Sequence, residues 1–201
     1  MRIFKKMKKI IIGISILAIT ATACNNNSNT SEKNEKKDDT TINNTSSTKS
    51  DKPDAKVDGS MKEMVSQYLQ IKNALANDNG RDAATAGNAF VKSMGKMDKN
   101  SLTADKKTKW DNLSDDAKEM AEHIGKNGDK LEHQREHFDM LSKDMYDMVK
   151  TFGAGQTLYQ DFCPMYNNKK GATWLSETKD IKNPYLGKAM PTCGSIKEEI
   201  K

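Results

Sequence analysis

From about Val57 to Phe152, apolar residues recur at every third or fourth position, the spacing that gives a helix one buried face. Short polar or glycine-containing segments at 77–80, 98–100 and 125–128 interrupt this pattern. Turns this short place consecutive helices side by side and antiparallel. The pattern therefore predicts an all-α fold, an up-and-down four-helix bundle. The first predicted helix ends at about residue 76. The other three cover about 82–97, 104–125 and 130–152.

The helical period ends at residues 153–155, and the chain beyond them follows a different pattern. Residues 157–163 and 172–176 have the composition of short strands, with 167–171 as the turn between them. The remaining positions to about residue 194 include several prolines and glycines, which favour irregular structure. We therefore expect an irregular C-terminal segment with a short β-hairpin as its candidate regular element. Its predicted anchors on the bundle are Trp174, Tyr185 and Leu186.

The first 56 residues lack the pattern of a packed domain. Residues 1–23 combine a basic start with a short apolar run, as an export signal does. The Ala-Thr-Ala-Cys sequence that ends at Cys24 is similar to the lipobox of bacterial lipoproteins, in which the cysteine is lipidated. Residues 25–56 are polar, and such a composition cannot bury enough surface to fold. We predict a signal peptide at 1–23, a disordered tether at 24–56 and a folded domain at 57–201.

An ordinary secretory signal followed by a chance cysteine is the alternative to a lipid anchor. The asparagine-rich stretch directly after Cys24 favours the anchor, because a coil of this length reaches roughly 30 Å and holds a domain clear of a lipid surface. A lipid anchor predicts that the protein lies in the periplasm or cell envelope, attached to a membrane through its N-terminal lipid.

The net charge of +5 comes entirely from the predicted signal. Residues 1–23 hold five basic residues and no acidic ones, which leaves 28 of each in the rest of the chain. A nucleic-acid-binding domain usually keeps a basic excess on its folded part. The charge distribution therefore excludes nucleic acid as the expected partner.

Histidine and methionine lie together on the fourth predicted helix, beside its core-facing side. His133 and His137 are four residues apart, so both imidazoles point the same way and can share one ion. Met140 extends the same stripe, and His123 lies just upstream as a further candidate. Two histidines on a helix are more commonly solvated or fill the edge of a bundle. No His-Glu-x-x-His pattern is present, so a metalloprotease of the type that uses this pattern is not supported.

Two pairs of soft ligands lie in the C-terminal segment, each beside a proline. Cys163 and Met165 flank one proline, and Met190 and Cys193 flank another in the reverse order. Proline restricts the backbone and so holds the two sulfur side chains of each pair near one another. Thioethers are weak ligands for hard ions, so this set is suited to copper(I). A zinc site would more naturally use cysteine and histidine alone.

A disulfide between Cys163 and Cys193 is the open alternative to ligation by these cysteines. An exported protein enters a compartment where disulfides persist. Closing a loop of about 30 residues would stabilise the fold by roughly 3–4 kcal/mol in the chain-entropy model. The compartment alone does not decide whether the two cysteines form a disulfide or bind a metal ion.

Several motifs of the chain are similar to those of a known family. They are Gln134-Arg135-Glu136-His137-Phe138, Phe162-Cys163-Pro164-Met165, Gly171-Ala172-Thr173-Trp174-Leu175-Ser176, Asn183-Pro184-Tyr185-Leu186-Gly187 and Met190-Pro191-Thr192-Cys193-Gly194. They resemble a periplasmic domain-of-unknown-function family of Gram-negative lipoproteins, which is also fused to the C-terminal ends of heavy-metal efflux adaptor proteins. The resemblance covers about residues 60–200 and departs at Thr173, where an aromatic residue is expected. It implies copper handling beside heavy-metal efflux components, with these ligands: His133, His137, Cys163, Met165, Met190 and Cys193.

The sequence thus predicts a lipid-anchored periplasmic binding protein for a soft metal ion, copper(I) first, at the seam between the fourth helix and the C-terminal segment. The protein would buffer the ion or pass it to an efflux system. The alternative is a metal-free protein-interaction module with a structural Cys163–Cys193 disulfide. An enzyme is not expected, because no nucleophile–base pair and no phosphate-binding glycine loop stands out.

Overall fold

The computed structural model describes residues 55–201, with side chains described from Gly59 onward. The predicted signal peptide, Cys24 and all but the end of the predicted tether lie outside the described residues. Within residues 55–201 the chain is mostly helical and ends in a small antiparallel sheet. The four long helices are α1 (Ala55–Ala76), α2 (Gly80–Met94), α3 (Ala104–Lys126) and α4 (Leu131–Phe152).

Local sequence signals explain where these helices begin. Asn79 precedes α2, and its side chain accepts a hydrogen bond from the Asp82 N–H. Thr103 precedes α3 and accepts a hydrogen bond from the Lys106 N–H in the same way. Such caps satisfy backbone donors that have no partner within the helix. A short 3-10 turn at Lys99–Ser101 separates α2 from α3.

Each long helix packs against the one that follows it in sequence, and α1 also contacts α4. Their facing sides bury the apolar residues that the sequence pattern assigns to the core. These include Met61, Tyr68, Phe90, Trp110, Phe138, Met145 and Phe152. The helical fold is thereby confirmed, whereas the up-and-down bundle arrangement stays a prediction. None of the helices in the described part of the chain has the length and hydropathy needed to span a bilayer.

The C-terminal segment contains more regular structure than predicted. Strands β1 (Leu158–Cys163) and β2 (Ala172–Ser176) form the expected hairpin, and β3 (Ser195–Ile200) adds a third antiparallel strand on the other side of β1. The pattern missed β3 because half of its residues are charged and most are exposed, as in many solvent-facing edge strands. A left-handed turn at Tyr166–Lys169 lies between β1 and β2, and a short 3-10 turn at Gly187–Ala189 lies between β2 and β3.

The C-terminal segment packs on α1 and α4 through aromatic side chains. Tyr185 is buried against Phe138 of α4, and its hydroxyl donates to the Thr173 carbonyl over 2.6 Å. The Tyr68 hydroxyl of α1 accepts a hydrogen bond from the Leu175 N–H of β2 over 3.0 Å. The predicted anchors Trp174 and Tyr185 are both buried, whereas Leu186 is half-buried.

A buried charged cluster lies between α1 and the sheet. The Lys72 ammonium is fully buried and contacts the Glu177 carboxylate over 2.7 Å. Asp161 of β1 is also fully buried, and neither of its carboxylate oxygens has a hydrogen-bond partner among the described residues. Burial raises the pKa of Asp161 to about 7, although Lys72 opposes the shift. Asp161 is therefore protonated in the folded state over a pH range in which the unfolded chain is ionised.

Replacing Asp161 by asparagine is expected to raise the free energy of unfolding at pH 8 by about 2 kcal/mol. The folded-state pKa lies above the ordinary value, so the stability that Asp161 contributes below pH 4 is lost as pH rises through about 7. Urea denaturation at pH 5 and pH 8 measures this loss, which Asp161→Asn should abolish. Asp180→Asn is the matched control, because Asp180 is exposed. Identical pH dependence in wild type and Asp161→Asn would contradict the assignment.

Candidate metal centre

Three histidines meet beside the turn between α3 and α4. His123 lies in the last turn of α3, while His133 and His137 lie in the first two turns of α4. The short connection at 127–130 reverses the chain and brings these helix ends together. One ring nitrogen from each histidine lies within 4.8 Å of the other two. Among residues 55–201, these form the one group of at least three histidine, cysteine or carboxylate ligands close enough to share an ion.

The distance between two of the histidines is close to that expected for two ligands of one tetrahedral ion. The Nε2 atoms of His133 and His137 are 3.1 Å apart. Two imidazole nitrogens bound to one tetrahedral ion would be separated by about 3.3 Å, from metal–nitrogen bonds of about 2.0–2.1 Å. The His123 ring stacks on the His137 ring with centroids 4.2 Å apart. The three nitrogens are close enough to bind one ion after the stacked His123 side chain rotates.

The close approach of the two Nε2 atoms requires a proton or a cation between them. Without either, the lone pairs of His133 and His137 would face each other at 3.1 Å. A single proton lets one ring donate to the other, and a metal ion would accept electron density from both. The pair is therefore arranged so that a cation can replace the shared proton.

Other side chains lie close to the three imidazole rings, and for His133 and His137 they face the nitrogen on the far side from the pair. The Met120 sulfur lies 3.3 Å from His137 Nδ1. A Glu136 carboxylate oxygen lies 3.7 Å from His133 Nδ1, which leaves Nε2 of that ring facing His137. A Glu119 carboxylate oxygen lies 3.9 Å from His123 Nε2. Neither carboxylate is within hydrogen-bond distance of its imidazole, but their negative charges favour a cation nearby.

Electrostatics and exposure both suit reversible binding of an ion. Burial lowers the pKa of His137, and the positive charges that His123 and His133 carry when protonated lower it further. His137 therefore stays neutral near pH 7, and neutral imidazole is the form that binds metals. The side chains of His123 and His133 are 43% and 38% exposed, so an ion can reach the cluster from solvent.

The structure changes which helical residues are the best candidates for metal ligands. His133 and His137 are adjacent, as their spacing predicts, and His123 joins them as an equal member. Met140 is 41% exposed. Met120 is not among the ligands predicted from sequence, yet its sulfur contacts His137. Its position three residues before His123 on α3 was the signal that could have identified it.

The two cysteines lie together at a different place. Cys163 ends β1 and Cys193 lies shortly before β3, with their sulfurs 2.8 Å apart. Both are free thiols in this structure. Met165 and Met190 are 48% and 42% exposed, so neither belongs to the apolar core. Ligation by these four residues stays a prediction.

The predicted seam is divided because the partners of α4 lie on different faces of the helix. Arg135 and Phe138 contact the C-terminal segment, whereas His133 and His137 face the end of α3. No cysteine belongs to the histidine group within the described residues. The histidines and the cysteines predicted as ligands therefore form two separate groups.

A comparison with known families finds a match to the helical part of the chain. Residues 64–157 match a family described as a protein of unknown function, DUF3347. The match includes His123, His133 and His137 and ends before Cys163. No curated protein and no solved structure matches the chain. The match thus supports a domain-of-unknown-function family without assigning an activity.

Proposed function

We propose that this protein binds a transition-metal ion through His123, His133 and His137, and that copper(I) is the ion it carries. The observation that supports this proposal is the convergence of three imidazoles from two helices, with ring nitrogens within 4.8 Å of one another. Three imidazoles are a common ligand set for borderline ions. The site needs no contribution from the cysteines.

Copper is preferred over zinc because a thioether lies beside the imidazoles. Met120 is already in contact with His137, although on the Nδ1 side of the ring, away from His133. A rotation of either side chain would allow its sulfur to approach an ion held by the cluster. Soft sulfur favours copper(I), whereas zinc would be satisfied by the histidines and water.

The proposed setting follows from the N-terminal sequence and the family resemblance. A lipid on Cys24 and a polar tether would hold a four-helix bundle close to a membrane of the periplasm. From there the protein would buffer copper or pass it to heavy-metal efflux components, as a carrier and not as an enzyme. The exposed edges of His123 and His133 support transfer, because a recipient can reach the ligands.

A copper(I) titration against a competing chelator tests the proposal. The full-length chain should carry Cys24→Ser in every sample, so that this thiol cannot bind the metal. His137→Ala should weaken binding at least tenfold, about 1.4 kcal/mol. Met165→Ala/Met190→Ala is the matched control and should leave affinity unchanged. Parallel titrations with zinc should show weaker binding.

The result that would contradict the histidine site is equal affinity in wild type and His137→Ala. Weakening by the methionine variant alone would move the ion to the C-terminal segment. Binding no tighter than nonspecific would favour the metal-free interaction module. The adjacency of Cys163 and Cys193 does not decide between the two functions, because a disulfide between them is compatible with the histidine site as well.

A further inference from the structure

The backbone frame of the sheet holds Cys163 and Cys193 side by side. Phe162 of β1 is paired with Ser195 of β3 in the antiparallel register. Cys163, the last residue of β1, and the residues just before β3 therefore lie at the same end of the sheet. The two Sγ atoms are 2.8 Å apart, so closing a bond of about 2.05 Å needs a movement of less than about 1 Å.

Local hydrogen bonds fix Cys193 independently of its sulfur. Its N–H donates to the Met190 carbonyl over 3.2 Å, and its carbonyl accepts from the Asn183 amide over 2.6 Å. The Asn183 N–H in turn donates to the Pro191 carbonyl over 2.9 Å. The turn that carries Cys193 is thus ordered before any bond to Cys163 forms.

We infer that Cys163 and Cys193 form a disulfide that clamps the segment 183–193 to the central strand of the sheet. The S–S bond forms as both S–H bonds break. Two electrons and two protons pass to a disulfide-form thiol oxidant, which becomes two thiols. This inference does not depend on the proposed metal function, since neither cysteine belongs to the histidine cluster.

The clamped segment carries the contacts that attach the C-terminal part to α4. The Pro184 carbonyl accepts a hydrogen bond from Arg135, and the buried Tyr185 ring packs against Phe138. Asn183 is fully buried and caps the turn, because its side-chain oxygen accepts from the N–H groups of Tyr185 and Leu186. The disulfide would therefore restrict the loosening of this interface.

The two sulfurs differ in their access to solvent. Cys163 is fully buried, whereas Cys193 is half-buried. A reducing thiol would therefore attack at Cys193 and release Cys163 as the leaving thiol. The clamp is thus open to reduction from one side only.

Peptide mapping of the full-length chain tests the bond directly. The chain, carrying Cys24→Ser, is treated with oxidised glutathione, alkylated without reductant and digested with trypsin. We expect residues 151–169 and 189–197 to appear as one cross-linked species that separates on reduction. Quantitative alkylation of both cysteines would overturn the inference. Thiols that are protected but become free on adding a chelator alone would also overturn it, since they would be metal ligands.

Reduction tests the clamp itself. The melting temperature of the oxidised chain should fall by about 10 °C on reduction, and amide exchange in residues 183–188 should accelerate at least tenfold. Cys163→Ser/Cys193→Ser is the control and should not respond to reductant. A cross-linked species whose melting temperature and exchange are unchanged on reduction would overturn the clamp.

Discussion

Replacing Arg135 by alanine is expected to lower the free energy of unfolding by about 3 kcal/mol, because buried hydrogen bonds from a charged donor are lost. Its guanidinium is buried and joins three parts of the chain. It donates to the Pro184 carbonyl over 2.9 Å, to the Leu75 carbonyl over 3.3 Å and to the Asp78 carboxylate over 2.6 Å. It also contacts Glu132 over 2.8 Å. Truncation would leave the buried Pro184 and Leu75 carbonyls without their donor, whereas water can still reach the carboxylates of Asp78 and Glu132.

Urea denaturation at constant pH measures the loss, and Arg81→Ala is the matched control. Arg81 lies exposed on α2, so its truncation should change stability by less than about 0.5 kcal/mol. Arg135→Lys should recover little, because an ammonium cannot reproduce the planar fork of donors. A loss below about 1 kcal/mol for Arg135→Ala would show that Arg135 does not connect α1, α4 and the C-terminal segment in solution.

Copper(I) is expected to raise the melting temperature of the protein by about 10 °C when free metal exceeds its dissociation constant roughly 1,000-fold. Preferential binding to the folded state at that excess contributes about 4 kcal/mol. The three histidines come together only when α3 and α4 are packed, so the unfolded chain should bind far more weakly. Thermal unfolding followed by circular dichroism measures the shift.

The variant His123→Ala/His133→Ala/His137→Ala should lose this stabilisation while keeping the stability of the metal-free wild type. All three side chains are partly exposed, so their truncation leaves the core intact. Cys163→Ser/Cys193→Ser should retain the full copper-dependent shift. A shift that survives the triple histidine variant, or disappears in the cysteine variant, would place the ion at the C-terminal segment.

Periodicity predicted the helical part of the fold because each helix buries a broad apolar face. The stripes that contain Phe138 and Met145 on α4, or Trp110 and Ala117 on α3, are buried as expected. The β1–β2 hairpin was predicted from composition and its asparagine-rich turn. Asn167 and Asn168 there have positive φ values of 51° and 55°, which asparagine tolerates better than most residues.

The partners of each helix face were harder to predict, because periodicity describes one helix at a time. Spacing placed His133 and His137 on one side of α4 but did not show that this side faces His123 rather than the cysteines. The sequence pattern gives Arg135 no structural role, because its burial depends on carbonyls far away in sequence. Residues that act through long-range contacts are therefore missing from the sequence prediction.

The X-ray absorption spectrum of the copper(I)-loaded, full-length Cys24→Ser chain tests the central claim most directly. Imidazole nitrogens bind at about 2.0 Å and sulfurs at about 2.3 Å, so the nearest ligands can be counted by type. We expect three nitrogen ligands from His123, His133 and His137, with at most one sulfur from Met120. A spectrum with two or more sulfur ligands would contradict the histidine site and assign the ion to the cysteines and methionines of the C-terminal segment.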